Sequence, residues 1–219
     1  MLLFITFFIA SIFCIVINTM MSNEIKKMAS DKKYDEIVSK LPDNKEICEE
    51  FQKMLNTDCE ISLDNKSRSS AYIFFLNKII LSNTEDSKSN FSRILFIAHE
   101  CIHSVQSQKM HITNFVLKNI VNLFTLLLLI FFFIKSITLE LVLIYFLISF
   151  ISFCINMILE TDAIYRSLIL SRKYLLKYNY EEIADRYEYI IPKTIMGMFF
   201  RYASFSIYTV FIMTIYFII

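Results

Sequence analysis

Four long apolar stretches constrain this chain more than any other feature of its sequence. They cover residues 1–20, 116–134, 137–159 and 195–219. Each is close to the roughly 20 residues that a helix needs to cross the hydrocarbon core of a bilayer. Of the 219 residues, 56% are hydrophobic, whereas soluble domains contain about 45–50%. The sequence therefore predicts a mainly α-helical membrane protein with about four transmembrane helices.

Lysine and arginine residues near the ends of these stretches predict the orientation, because such residues are enriched in cytoplasmic loops. The segments 21–115 and 160–194 carry most of them, whereas the link between the second and third stretches offers only Lys135. Both polar segments are therefore expected in the cytoplasm and both chain ends outside, as in a multi-pass protein of the cell membrane. Residues 1–20 are expected to remain as an uncleaved anchor. They show neither the basic n-region nor the A-x-A-like cleavage site of a signal peptide.

These segments define the predicted domain organisation. The domains are an N-terminal transmembrane anchor at 1–20, an α+β segment at 21–115, a transmembrane hairpin at 116–159, a helical segment at 160–194 and a C-terminal transmembrane helix at 195–219. The hairpin returns the chain to the cytoplasmic side near residue 160.

Composition and charge exclude several classes of function. Gly197 is the only glycine, so the chain cannot form the glycine-rich loops of P-loop, dinucleotide-binding or kinase folds. The net charge is +1, which leaves no basic excess for a nucleic-acid partner. The five cysteines form no C-x-x-C pair, which argues against a disulfide framework.

The polar segment 21–115 is predicted to form a small α+β fold. Its predicted elements are an amphipathic helix at 21–41, a helix at 44–55, strands at 61–63, 71–76 and 79–82, and a helix at 92–109. A tight turn at Asn77-Lys78 would join the last two strands. The strand at 79–82 either offers an exposed edge to a peptide substrate or is an ordinary core strand.

The last of these helices contains an H-E-x-x-H motif, His99-Glu100-Cys101-Ile102-His103. Because a helix turns about 100° per residue, His103 lies about 40° around from His99 and one turn along. Both imidazoles then face one point and would supply half of a tetrahedral zinc site, unless they merely pack or cap the helix. Glu100 lies beside that point and is expected to act as general base toward zinc-bound water. Cys101 faces the core and is not expected to be a ligand.

A catalytic zinc needs a third protein ligand, and three residues are candidates. His111 lies about 12 Å from His103 along the helix axis, which is too far unless the helix ends early. Glu140 lies a membrane thickness away from the histidines. Glu160 is favoured, because a carboxylate at the cytoplasmic end of the third stretch is costly to bury without a partner. Asp162 either accepts a hydrogen bond from a ligand histidine or begins the next helix.

The order of these features resembles the bacterial neutral zinc metallopeptidases of the YugP type, which are membrane proteins. The resemblance is carried by the strand Ile80-Leu81-Ser82, by the motif residues His99, Glu100, His103 and Gln106, and by the later Glu160, Asp162, Ala163 and Arg166. It implies that His99, His103 and Glu160 bind zinc and that Glu100 is the base. The family has glycine where this chain has Ile102, whose bulk would narrow the cleft or accompany a loss of activity.

The leading expectation is an integral membrane zinc metallopeptidase of the gluzincin type. It would have a zincin-like α+β segment, Zn²⁺ as its cofactor, a peptide or protein as its substrate and the lipid bilayer as its surroundings. The alternative from another class is a catalytically inactive membrane adaptor that keeps the zinc. A metal transporter is a weaker third alternative, since Asn122 and Asn156 are too few and too isolated for an ion path.

Overall fold

Helices dominate the computed structural model, which describes residues 2–29, 32–67, 69–85, 88, 90–134 and 136–218. The helices are α1 (Leu2–Ala29), α2 (Lys32–Val38), α3 (Asn44–Leu55), α4 (Arg93–Val105), α5 (Gln108–Phe133), α6 (Leu139–Lys177) and α7 (Glu181–Ile218). The strands are β1 (Glu60–Asp64), β2 (Ala71–Ile73) and β3 (Lys78–Ser82). Met1, Lys135 and Ile219, which the predicted spans and the charge pattern include, lie outside the described residues.

The chain divides into two compact units. The polar unit consists of Asn23–Gln108 and Leu159–Ile195. The apolar unit consists of Met1–Ser22, Lys109–Ile158 and Met196–Ile219. The residues predicted for the metal site, at 99–103 and 160–162, therefore all fall within the polar unit.

Two helices among the described residues are long and apolar enough to cross a membrane. They are Gln108–Phe131 and Leu139–Lys177. They cover most of the second and third predicted spans, at 116–134 and 137–159, but α6 continues far beyond the predicted end at residue 159. The first and fourth predicted spans lie in α1 and α7, which are helical over their described residues.

The three strands of the polar unit form one mixed sheet with the order β1-β3-β2. β3 pairs in parallel with β1 and antiparallel with β2. The second strand ends at Ile73, three residues earlier than predicted, and residues 74–77 form the turn, with Asn77 at a φ of 47°. Because β3 is the central strand, the prediction that it offers a free edge to substrate is wrong, and Ile79 and Leu81 are core residues.

α3 shows how local sequence signals define one side of this unit. The carboxylate of Asp43 accepts a hydrogen bond from the Glu46 N–H at 2.9 Å and caps the first turn. Asn56 ends the helix in the left-handed conformation, with a φ of 53°. The predicted helix at 44–55 is confirmed, and its buried apolar face packs against α4.

The helix predicted over 92–109 is instead two helices. α4 ends at Val105, Gln106 is extended with a φ of −75° and a ψ of 162°, and α5 begins at Gln108. This break is stabilised by the Gln106 side chain, whose amide donates to the Leu159 carbonyl at 2.8 Å. The break coincides with a contact to a residue 53 positions away in the chain, and no proline or glycine marks it in the sequence.

Candidate metal centre

Three side chains of the polar unit bring metal-ligating atoms together. His99 and His103 lie one turn apart on α4, and Glu160 lies on α6. The two Nε2 atoms are 3.0 Å apart, and Glu160 Oε2 is 3.4 Å from His99 Nε2 and 3.9 Å from His103 Nε2. All three donor atoms lie within 4.8 Å of one another. This group could hold a metal ion.

The spacing of these atoms fits tetrahedral coordination. Two ligand atoms at the usual zinc distances of about 2.0–2.1 Å are separated by roughly 3.3 Å when the geometry is tetrahedral. The three observed separations of 3.0, 3.4 and 3.9 Å bracket that value. Two neutral imidazoles and one carboxylate are also a donor set typical of catalytic zinc, which leaves a fourth position for water or substrate.

Glu100 lies next to this group on α4, and the structure gives it a separate partner. Its Oε2 accepts a hydrogen bond from the backbone N–H of Tyr72 at 2.7 Å. Burial raises the pKa of Glu100 to about 7, although the nearby His99 and the Tyr72 hydrogen bond act in the opposite direction. A carboxyl group with this pKa exchanges protons readily near neutral pH.

Gln106 is a site residue to which sequence reasoning assigned no role. Its Oε1 lies 2.8 Å from His103 Nδ1, and its Nε2 donates to the Leu159 carbonyl and to Asp162 Oδ2, both at 2.8 Å. Because both acceptors require the amide nitrogen, the amide oxygen must face the imidazole. The proton of His103 is then held on Nδ1, and Nε2 keeps its lone pair for a metal.

Asp162 supports the site through Gln106. It accepts the Gln106 hydrogen bond and a longer one from Arg166 at 3.4 Å. Asp162 was predicted to accept directly from a ligand histidine, whereas the structure shows it accepting from Gln106, which in turn contacts His103. The other prediction, that Asp162 begins a helix, is wrong because α6 runs without interruption from Leu139 to Lys177.

The two residues between Glu100 and His103 face the core. Cys101 and Ile102 are 0% and 1% exposed, as the helical spacing predicts for Cys101. The Cys101 Sγ lies 3.5 Å from the Cys48 Sγ, and this contact together with burial raises the pKa of the Cys101 thiol. A protonated, buried thiol is a poor metal ligand.

The two other candidates for the third ligand belong to different parts of the chain. His111 lies on α5 and Glu140 in the first turn of α6, both in the apolar unit. Neither belongs to the group of donor atoms found among the described residues.

A cavity of about 410 Å³ lies beside His99 and Glu100. It is lined by Asn44, Ser69, Ser70, Ser82, Asn90, Arg93, Phe96, Ile97, His99 and Glu100. Ile102 is not among these residues, so its bulk is added to the core and not to the cavity. The buried Arg93 and the serine-rich wall carry no short motif that would have revealed them in the sequence.

Comparison with known proteins identifies no relative. No protein-family model matches the chain, and neither a curated protein nor a solved structure matches it.

Proposed function

We propose that this protein is an integral membrane zinc metallopeptidase that hydrolyses peptide bonds at the cytoplasmic face of the membrane. The observation that carries the proposal is the convergence of His99, His103 and Glu160 within 4.8 Å, with Glu100 beside them on the same helix. Few other chemistries need two histidines and a carboxylate around one point together with a further carboxylate next to it.

The donor set supports zinc as the metal, with His99, His103 and Glu160 as its ligands. When bound there, zinc would supply a Lewis acid that polarises the scissile carbonyl and increases the acidity of a coordinated water. The chain's own contribution is to hold the three ligand atoms close together and to fix the tautomer of one of them. Gln106 does this for His103 by keeping the imidazole proton on Nδ1.

Glu100 is the residue proposed to move protons. Its pKa of about 7 allows it to accept a proton from the attacking water as the new C–O bond forms at the scissile carbonyl carbon. It then returns that proton to the departing amide nitrogen as the C–N bond breaks. The hydrogen bond from the Tyr72 N–H holds one carboxylate oxygen in place during both transfers.

The outer side of the sheet is the proposed path for an extended peptide. β2 pairs with β3 on one side only in the strand order β1-β3-β2. The Tyr72 N–H of β2 is directed to Glu100 and not to β3. A peptide running along β2 would therefore pass beside the proposed base, in the manner of an added strand.

The membrane part of the proposal is supported by the exposure of the two long apolar helices. Only 6% and 28% of the residues in their most apolar windows are buried, whereas the core helix of a soluble protein would be mostly buried. We extend this to four spans with both polar segments in the cytoplasm, on the basis of the lysine and arginine distribution. A reporter fused after residue 219 tests the orientation, because cytoplasmic activity of that reporter would contradict it.

The central experiment separates a peptidase from a zinc-binding adaptor. The full-length protein, purified in detergent, should contain about one zinc per chain and cleave members of a quenched fluorescent peptide library. Glu100→Gln should keep the zinc and lose about 10²–10⁴-fold of the rate, the usual contribution of general acid–base catalysis.

Glu36→Gln, at an exposed carboxylate of α2, is the matched control and should behave like the wild type. Zinc binding without cleavage of any peptide in the library would favour the inactive adaptor. Undiminished cleavage by Glu100→Gln would remove Glu100 from the proposed mechanism.

A further inference from the structure

The cavity beside the metal site contains a buried cation that the proposed chemistry does not use. Arg93 lines the cavity and is only 4% exposed. Its Nη1 donates to Asn44 Oδ1 at 2.9 Å, and its Nη2 donates to the carbonyls of Val38 and Leu41 at 2.6 and 3.1 Å. All three acceptors are neutral, so the direct partners of the guanidinium bring no negative charge, and the carboxylate of Asp43 acts on it only as a nearby charge.

One donor of this guanidinium is also unpaired within the described part of the chain. Arg93 Nε is buried and has no hydrogen-bond partner among the residues that the structure describes. A buried donor without a partner is costly, and a buried positive charge without a counter-charge is more so. A ligand that brings a negative charge and an acceptor oxygen would satisfy both needs, and arginine is well suited to a carboxylate.

The rest of the cavity wall is suited to a ligand in which a polar group is attached to a short aliphatic chain. The hydroxyl-bearing residues Ser69, Ser70 and Ser82 line it together with Phe96 and Ile97. Phe96 is 58% exposed, so one part of the wall is an aromatic surface open to solvent. The Ser82 hydroxyl already donates to the Ser67 carbonyl at 2.7 Å. The hydroxyls of Ser69 and Ser70 can donate to a carboxylate, whereas the side chains of Phe96 and Ile97 can contact a methylene stem.

The cavity also lies within reach of the bond to be cut. Arg93 precedes Glu100 by seven residues, which is two turns on the same face of α4 and about 10 Å along the helix axis. An extended peptide advances about 3.3–3.6 Å per residue, and a glutamate side chain adds a similar reach. A carboxylate that contacts Arg93 would therefore belong to a residue within about two positions of the scissile bond. Repulsion from Glu100 at that distance is weaker than attraction to a guanidinium in direct contact.

We propose that this cavity is a specificity subsite in which Arg93 binds a carboxylate of the peptide substrate, either an acidic side chain or the C-terminal carboxylate, next to the bond that is cut. The assignment of this cavity to substrate specificity rests on the proposed peptidase function. The binding of the carboxylate itself does not depend on zinc or on turnover.

The test measures binding to the metal-depleted, full-length protein in detergent, so that zinc cannot bind the carboxylate. The probe is a C-terminally amidated octapeptide of alanine and serine with one central glutamate, labelled with the dansyl group, which carries no carboxylate. The comparison probes replace this glutamate with glutamine, once with an amidated and once with a free C terminus. At least one carboxylate-bearing probe should bind about tenfold or more tightly than the amidated glutamine probe, as expected for a hydrogen-bonded charge. The probe that binds more tightly than the amidated glutamine probe identifies whether the carboxylate belongs to a side chain or to the C terminus. Equal binding of all three probes overturns the proposal.

Substitutions at Phe96 test the position of the subsite without disturbing the core. Phe96 is three residues from Arg93 on the same helix, so a charge placed there lies close to the guanidinium. Phe96→Glu should reduce the preference for the carboxylate several-fold, and Phe96→Gln should preserve it. An unchanged preference in Phe96→Glu would exclude this cavity as the site. Arg93→Gln should abolish the preference for carboxylate-bearing probes, provided that the variant still binds zinc with wild-type stoichiometry. If Arg93→Gln does not bind zinc normally, the comparison of Phe96→Glu with Phe96→Gln tests the proposal instead.

Cleavage of the same peptides by the zinc-loaded protein separates this inference from the proposed function. A carboxylate preference in binding with no hydrolysis of any probe would refute the peptidase and leave the subsite in place. Hydrolysis of all probes at equal rates with equal binding would support the peptidase and refute the subsite.

Discussion

Replacing Gln106 with methionine tests whether the hydrogen bonds behind His103 prepare the site for a metal. Methionine has a similar length and volume but cannot accept the His103 Nδ1 hydrogen bond or donate to Leu159 and Asp162. The imidazole proton is then no longer confined to Nδ1, and the ring loses its fixed orientation. Changes of this kind typically reduce metal affinity 10–100-fold, which corresponds to about 1.4–2.7 kcal/mol.

The assay is a competition for zinc between the purified protein and a chromophoric chelator at a fixed pH. Gln108→Met is the matched control, because Gln108 is exposed at the start of α5 and should leave zinc affinity unchanged. Asp162→Asn should have a smaller effect than Gln106→Met, since its amide oxygen can still accept the Gln106 hydrogen bond. Zinc affinity of Gln106→Met within twofold of wild type would refute the reasoning, because the tautomer would then be set elsewhere.

Three further predictions concern the ligand set and the stability of the polar unit. Glu160→Ala should lose most of the zinc in metal analysis while Glu140→Ala keeps it, and the reverse result would move the third ligand to Glu140. Asp43→Ala should lower the free energy of unfolding by about 1 kcal/mol through loss of the α3 cap, measured by chemical denaturation in detergent. Tyr187→Phe should cost about 1–1.5 kcal/mol in the same assay, because its buried hydroxyl donates to the Phe91 carbonyl at 2.5 Å. Unchanged unfolding midpoints would contradict the two stability predictions.

Sequence patterns predicted those elements whose signals are local. The bounds of α3 follow from Asp43 before its first turn and from an apolar stripe with a period of 3.6 residues. Both signals lie within about a dozen residues of sequence, so they can be recognised without the fold. The three strands were also expected, but not their order. The parallel pairing of β1 with β3 joins strands that are separated in the chain by β2, and no local pattern specifies which neighbour a strand takes.

The continuity of the helices was the least predictable feature, because tertiary contacts decide it. Gln106 interrupts α4 although glutamine is a good helix former, since its side chain is engaged by Leu159 and Asp162. Conversely, α6 continues past the polar residues Glu160 and Asp162, where a change from apolar to polar sequence predicted an end. The H-E-x-x-H spacing was informative because helix geometry alone places the two histidines one turn apart on the same face. The hydrogen bonds that connect His103 to Gln106 and Gln106 to Asp162 could not be predicted from the sequence, because they join α4 to α6.

The position of Ile102 bears on the glycine that stands there in the metallopeptidases which the sequence resembles. Its side chain is 1% exposed in the core of the polar unit and does not line the cavity. Its bulk therefore contributes to packing and does not narrow the cavity, so isoleucine at this position is not in itself an argument for the inactive alternative. Ile102→Ala should lower the free energy of unfolding by about 2–5 kcal/mol, as large-to-small core changes do, and leave the zinc stoichiometry of the folded fraction unchanged. A gain in peptide cleavage at undiminished stability would show instead that Ile102 restricts the cleft.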